Sequence, residues 1–224
     1  MRRFIAGTTA TIALLGGAYA CGEDQPSTYE VPTEQANAAR DTFNDMVAFW
    51  AGQQSMADAK EPTIDVINGN EVFECVPGGE KITSAGIVTS FCAERNTVVM
   101  PAAAMQEQDS STIGPLARSF MISHEVGHWV LHNSDPPLPT ADTVGTEQQA
   151  TCLGGRTMAY AGVEQDAAIY DQNQVISIAG WLLRLTKLDP KKYGTKNDLS
   201  NAYLAGTSGT SGHSCDDPTT WQGR

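Results

Sequence analysis

The sequence predicts an α+β fold that is mainly helical, with a small antiparallel meander of strands before a central helix. Two observations predict the helices: apolar residues recur at helical spacing near the N-terminus and again through the C-terminal half. Between these regions, residues 54–100 contain short β-branched runs separated by turns rich in Gly and Asn. A few strands covered by helices give an α+β layout.

The helical segments that we predict are about 33–53, 115–132, 145–161, 166–188 and 198–206. The predicted strands are 63–67, 71–75, 87–92 and 97–100, the last of them ended by Pro101 and the Ala run that follows. In the first helix the apolar residues at helical spacing indicate a packing face, formed by Ala39, Phe43, Met46, Val47 and Trp50.

The composition is that of one globular domain. The chain has 224 residues, of which 41% are hydrophobic, and this is enough for one substantial core. We find no internal repeat and no linker that divides the chain, so residues 33–224 are predicted to form a single domain. The formal net charge of -12 argues against binding to nucleic acid or to anionic lipid.

The N-terminus has the layout of an export signal. Arg2 and Arg3 precede an apolar run, 4–20, which ends in an Ala-Tyr-Ala pattern typical of a cleavage site. We therefore predict that residues 1–21 are a signal peptide. The protein is then exported, either to the bacterial cell envelope or into the medium.

Cys21 stands where a bacterial lipoprotein carries its lipidated cysteine. Ala18 replaces the usual Leu and Tyr19 is bulky, so lipidation of Cys21 and simple secretion are both left open. A lipid anchor there is the only membrane attachment that we predict, because no other stretch is apolar enough to span a bilayer. The polar, Pro-containing residues 22–32 are predicted to form a flexible tether.

Four cysteines remain beyond the signal, and an even number in an exported chain indicates disulfides. Cys75 and Cys92 flank a Gly-rich excursion and would pair most simply. That pairing leaves Cys152 to pair with Cys215.

The central helix carries the motif His-Glu-x-x-His at residues 124–128. Side chains four residues apart lie on one face of a helix, so His124 and His128 present two imidazoles to one point. Zinc takes such ligands, and Glu125 is then placed to act on a water at the metal. The chain has only four His, and the motif arises by chance in about a few sequences per thousand of this length.

A catalytic zinc needs a third protein ligand and an open position. The three-histidine metzincin pattern is excluded, because Ser134 stands where its third His would be. His132 lies two helical turns from His124, too far along a straight helix to share a tetrahedral ion comfortably. Asp135 and Asp142, in the loop that follows, stay open as ligands.

Glu147 is the third ligand that we prefer. It lies on a second helix, and the Pro-rich loop before that helix allows it to fold back on the first. Small residues would let the two helices approach closely: Gly127 on the first, and Ala150, Gly154 and Gly155 on the second. The alternative is that Glu147 is a solvated carboxylate favoured by the dipole at the start of its helix.

Two segments, 122–128 (Ile-Ser-His-Glu-Val-Gly-His) and 147–155 (Glu-Gln-Gln-Ala-Thr-Cys-Leu-Gly-Gly), resemble the bacterial family of neutral zinc metallopeptidases. That family has HEVGH followed by E-x-Q-A-D-C-x-A-G. Phe91-Cys92 and the strand 97–100 are similar to the strand before the family's active-site helix, so the similarity covers roughly residues 70–160.

The resemblance implies a zincin-like domain of the gluzincin type, with Glu147 as the third zinc ligand beside the two motif histidines. The sequence departs from the family at Thr151, where the family has Asp. That Asp would accept a hydrogen bond from a ligating His, and losing such a partner costs about 10–100-fold in metal affinity or activity. Thr still accepts a hydrogen bond, but it carries no charge.

The function that we predict is a zinc-dependent peptidase acting on a peptide or protein substrate, with Glu125 as general base. His213 is our first choice as donor to the oxyanion, and Tyr160 is a weaker one. The strand 97–100 is either an edge that pairs with an extended substrate or an interior strand. The oligomeric state stays open.

Two other interpretations compete with a peptidase. In the first, the protein is a catalytically weak or inactive zinc-binding envelope protein of the same fold, with a binding or structural role, and Thr151 supports this. In the second, it is an exported disulfide scaffold without metal.

Overall fold

The computed structural model describes residues 28–79, 81–110, 114–135, 138, 143–160, 194–208 and 215. This part of the chain has a mixed α+β fold, which confirms the predicted class. Several predictions lie outside the described residues: the export signal 1–21 with Cys21, the helix 166–188, Asp142 and His213.

The helices are α1 (Thr33–Ala51), α2 (Ala102–Ser110), α3 (Gly114–Asn133), α4 (Thr143–Tyr160) and α5 (Lys196–Ser208). The strands are β1 (Thr63–Ile67), β2 (Val72–Glu74), β3 (Lys81–Thr83), β4 (Ser90–Cys92) and β5 (Thr97–Pro101). Two of these elements, β3 and α2, were not predicted. The Ala run that follows Pro101 does end β5, but Ala is the strongest helix former, and so the same run begins α2.

The strands form two sheets rather than the antiparallel meander that we predicted. The larger sheet has the order β1-β5-β4, and the hairpin β2-β3 stands apart from it. β1 runs parallel to β5, from Thr63 opposite Thr97 to Ile67 opposite Pro101, while β4 is antiparallel to β5. Parallel strands need a long crossover connection, and the segment between β1 and β5, which includes the hairpin, supplies it.

This order decides the position of the strand 97–100. β5 lies between β1 and β4, and all of its residues are buried. Of the two alternatives left open for this strand, an edge and an interior position, the structure therefore supports the interior one. Among the described strands of this sheet, β4 is the edge strand next to β5 on the side opposite β1.

The apolar face predicted for α1 is confirmed, since all five of its predicted packing residues are buried. Trp50 also donates its indole N–H to the hydroxyl of Thr157 over 2.7 Å, which joins α1 to α4 inside the core. The described end of the predicted tether packs on the fold as well. Val31 is buried, and its backbone N–H donates to Asn68 over 3.0 Å.

Both predicted disulfides are present. Cys75–Cys92 ties the hairpin to β4, and Cys152–Cys215 ties α4 to the C-terminal segment. None of the helices in the described part of the chain has the length and apolarity to cross a bilayer.

Candidate metal centre

The predicted pair of histidines lies on one face of α3. The rings of His124 and His128 meet edge to face, with 4.7 Å between their centroids. Their Nε2 atoms are 3.1 Å apart. The spacing of four residues therefore brings the two imidazole nitrogens to one point, as the sequence predicted.

Close packing of α3 on α4 brings the third group to this point. A Cβ atom on Gly127 of α3 would overlap the carbonyl oxygen of Ala150 on α4, and one on Gly154 would lie 2.9 Å from the carbonyl oxygen of Ser123. Only glycine allows such an approach. As a result, Glu147 Oε2 lies 3.2 Å from His124 Nε2 and 3.4 Å from His128 Nε2.

The spacing of these three atoms fits a metal ion. Tetrahedral ligands at zinc bond lengths of about 2.0–2.1 Å lie about 3.3–3.4 Å from one another. The three distances observed, 3.1, 3.2 and 3.4 Å, are close to that value. Among the described residues, one group of potential ligands lies close enough together to hold a metal ion, and it consists of His124, His128 and Glu147.

Thr151 fixes the tautomer of one ligand. Its hydroxyl donates to the backbone carbonyl oxygen of Glu147 over 2.8 Å, so the same oxygen acts as acceptor toward His124 Nδ1, which lies 3.0 Å away. Nδ1 must then carry the proton, and the lone pair of Nε2 points into the cluster. Thr151 therefore occupies the place predicted from the family's Asp, as a neutral acceptor.

The acidic and basic groups of the cluster shift one another's pKa. Burial alone would raise the pKa of Glu147, but hydrogen bonds and charge interactions with His124 and His128 hold it well below its usual range. Burial alone would lower the pKa of His124, yet the hydrogen bond to Glu147 and the charges of Glu125 and Glu147 raise it above 6.5. In the metal-free site the acidic and basic groups thus stabilise each other's charged forms.

Glu125 lies beside the cluster without belonging to it. Its side chain is buried, and its Oε2 accepts the backbone N–H of Phe91 on β4 over 2.8 Å. Burial raises the pKa of Glu125, although the two neighbouring histidines oppose the rise. A buried carboxyl group with a raised pKa is suited to accept and release a proton.

The other candidate residues do not join the cluster. His132 is exposed, and its ring lies 6.2 Å from that of Phe91. Asp135 is also exposed and outside the cluster. Ser134, at the position of the third metzincin His, accepts a hydrogen bond from the N–H of Leu138 instead. The side chain of Tyr160 lies outside the described part of the structure.

A cavity of about 500 Å³ opens on the cluster. Its walls come from the segment that leads into β4, from α3, from α4 and from α5. Sequence reasoning did not find the wall residues Val88, Thr89 and Leu199, because nothing in their local pattern distinguishes them from ordinary packing residues.

No protein-family model, curated protein or solved structure matches this chain. The assignment of the site therefore depends on its own geometry and chemistry.

Proposed function

We propose that this protein is a zinc-dependent peptidase. The observation that carries the proposal is the set of three ligand atoms, 3.1–3.4 Å apart, next to the buried carboxylate of Glu125. Two imidazole nitrogens and one carboxylate oxygen are a ligand set typical of catalytic zinc, with one position left for water. The resemblance of residues 122–128 and 147–155 to neutral zinc metallopeptidases supports the same conclusion.

Bound zinc would supply a Lewis acid that lowers the pKa of a water molecule and polarises the scissile carbonyl. The chain's own contribution begins at Glu125. Phe91 holds Oε2, which leaves Oε1 to take a proton from the attacking water as the new C–O bond forms. The same oxygen then gives that proton to the amide nitrogen, the C–N bond breaks, and an amine and a carboxylic acid leave.

The dimensions of the cavity suit an extended peptide. On α3 its lining runs from Phe120 to His132, and the twelve helical steps between these residues span about 18 Å. An extended chain advances about 3.3 Å per residue, so about five residues of substrate fit along this length. The edge of β4 borders the same cavity, and the backbone of such a substrate could pair with it.

His213 remains our proposed donor to the oxyanion, with Tyr160 as the second choice. One connection supports His213: Cys215, two residues later, is bonded to Cys152, which adjoins Thr151 on α4. The disulfide that anchors this segment is therefore attached one residue from Thr151, whose hydroxyl contacts the proposed ligand His124. His213→Ala should lower kcat for peptide cleavage with little change in zinc content.

The decisive experiment compares wild type, Glu125→Gln and Glu147→Gln, each purified with zinc. We expect the wild type to hold one zinc per chain and to cleave casein or a peptide mixture. Glu125→Gln should keep zinc and lose cleavage, whereas Glu147→Gln should lose zinc. Cleavage that persists in Glu125→Gln at the wild-type rate would overturn the proposed mechanism.

A second function is favoured by one observation, the neutral Thr151 in contact with His124. In this alternative the protein is an exported zinc-binding protein, free or lipid-anchored at Cys21, that does not hydrolyse peptides. Stoichiometric zinc without cleavage of any protein substrate would support it over the peptidase. Purification without zinc, and a melting temperature unaffected by a chelator, would instead favour a metal-free disulfide scaffold.

A further inference from the structure

The cavity has an apolar wall built from two helices. Phe120 and Met121 of α3 line it one turn before His124, and Leu199 of α5 lines it as well. These three side chains are only 2, 7 and 6% exposed, so protein covers them on their other sides. Side chains this deeply packed form a fixed wall rather than a mobile surface.

Ring packing places Leu199 at the same end of the cavity as Phe120. The ring of Phe120 lies against that of Tyr203, with 5.0 Å between the centroids and 30° between the planes. Leu199 precedes Tyr203 by four residues on α5 and so lies on the same face of that helix. His132 is three helical turns from Phe120 and belongs to the opposite end.

The helix that carries Leu199 is held tightly on α4. A Cβ on Gly155 would overlap the carbonyl oxygen of Tyr203, and one on Gly206 would overlap that of Cys152. The disulfide Cys152–Cys215 also ties α4 to the segment that follows α5. Because α5 cannot retract without breaking this packing, the apolar wall has a set position.

The charges around the cavity exclude some substrates. The described residues that line it include the carboxylates of Glu125 and Glu147 but neither Lys nor Arg. An acidic side chain would enter an apolar wall beside two carboxylates, with neither Lys nor Arg among these residues to pair with it. Burial of an unpaired charge is costly, and so a neutral apolar side chain is favoured.

We propose that this wall is the pocket for a substrate side chain next to the scissile bond, that it selects a bulky apolar residue, and that Leu199 sets its size. The inference rests on the proposed peptidase function and deepens it. Leu199 lies outside the region that resembles zinc metallopeptidases, which ends near residue 160, so the selectivity follows from this chain's own C-terminal helix.

The test measures binding rather than turnover. Zinc-loaded Glu125→Gln protein is titrated with three hydroxamates that differ only in one side chain: methyl, isobutyl or naphthylmethyl. The hydroxamate group anchors each compound at the metal. We expect the isobutyl compound to bind at least tenfold more tightly than the methyl compound, since a methylene in an apolar pocket changes affinity by about 10-fold or more.

Leu199→Ala should weaken the isobutyl compound about tenfold relative to the naphthylmethyl compound, because a larger side chain fills the enlarged pocket. Leu199→Phe, which narrows the pocket, should weaken the naphthylmethyl compound most. Leu204→Ala is the matched control: it lies on the same helix, partly buried against the core but outside the cavity, and should leave the order unchanged.

An order of affinities that is the same in wild type, Leu199→Ala and Leu199→Phe would overturn the assignment of Leu199. Absence of zinc-dependent hydroxamate binding in all variants would overturn the pocket and the metal chemistry together. If the affinities follow the pocket but wild type cleaves no peptide, the pocket is supported and the peptidase function fails.

Discussion

The carboxylate of Glu125 accepts the backbone N–H of Phe91 over 2.8 Å, and this bond joins the helix that carries His124 and His128 to the edge strand β4. Because the donor belongs to the backbone, it depends on the position of β4 rather than on the side chain at residue 91. The residue after Phe91 is Cys92, and its disulfide with Cys75 holds the strand to the hairpin. The proposed general base is therefore positioned by the sheet as well as by its own helix.

Glu125→Asp tests this positioning. The shorter side chain retains the charge but cannot reach both the Phe91 amide and the water that the reaction requires. We expect kcat/KM for peptide cleavage to fall by about 10²- to 10⁴-fold, the usual worth of a placed general base. Zinc content should stay at the wild-type level. Cleavage within a factor of two of wild type would show that the contact with Phe91 does not matter.

Thr151→Ala tests the partner of His124. Without the hydroxyl, Nδ1 loses its acceptor, and we expect zinc affinity to fall about 10–100-fold in competition with a chromophoric chelator. Thr151→Asp should raise the affinity above that of wild type, because a carboxylate is the stronger acceptor.

The control for these variants is Thr157→Ala. Thr157 lies on α4 as well, six residues after Thr151. Thr157 also donates to the carbonyl four residues earlier, but its partner is Trp50 rather than a metal ligand. Its loss should lower the free energy of unfolding by about 1–3 kcal/mol and leave zinc affinity unchanged. An equal loss of zinc affinity in both alanine variants would argue for a general structural effect instead.

The candidate metal site could be predicted from the sequence because most of the information for it is local. His124 and His128 are fixed by helical spacing, and Glu147 needs only a second helix that folds back through a Pro-rich loop. The parallel pairing of β1 with β5 could not be predicted in this way. It depends on which distant strand fills the middle of the sheet, and neither alternation nor turn residues encode that choice.

The cavity wall shows the same limit. Leu199 lies about fifty residues beyond Glu147, and only the docking of α5 on α4 brings it to the cavity. In sequence it is one Leu in a short helix. Thr151 was predicted only because a resemblance marked the position, although the double role of its hydroxyl needed the three-dimensional structure.

Zinc binding should depend on pH with a definite sign. In the metal-free protein the pKa of His124 lies above 6.5: burial acts to lower it, but the hydrogen bond to Glu147 and the charges of Glu125 and Glu147 outweigh burial. Zinc requires the unprotonated ring, so affinity should rise with pH until that pKa is passed. One proton released per zinc gives about a tenfold change per pH unit. Calorimetry in buffers of different ionisation enthalpy measures the proton count, and a count that stays at zero at acidic as well as neutral pH would contradict this prediction.

The two disulfides should contribute unequally to stability. Their cysteines are 17 and 63 residues apart in sequence. In the chain-entropy model the shorter loop gives about 3 kcal/mol and the longer one about 4 kcal/mol. Chemical denaturation of the Cys75→Ser/Cys92→Ser and Cys152→Ser/Cys215→Ser pairs measures both values. Loss of the first pair should also displace Glu125, and so it should reduce kcat while the folded protein keeps its zinc.

Gly127→Ala separates helix propensity from helix packing. In the interior of an isolated helix the change would stabilise by about 1 kcal/mol. Here the new Cβ overlaps the carbonyl oxygen of Ala150, so α4 must move away from α3 and carry Glu147 with it. We expect a net loss of about 1–3 kcal/mol in stability, typical of overpacking, together with weaker zinc binding.

Gly52→Ala is the control, because its Cβ would lie 3.5 Å from the nearest backbone oxygen and it is remote from the site. It should leave zinc affinity unchanged. Wild-type zinc affinity in Gly127→Ala would mean that the position of Glu147 does not depend on this contact.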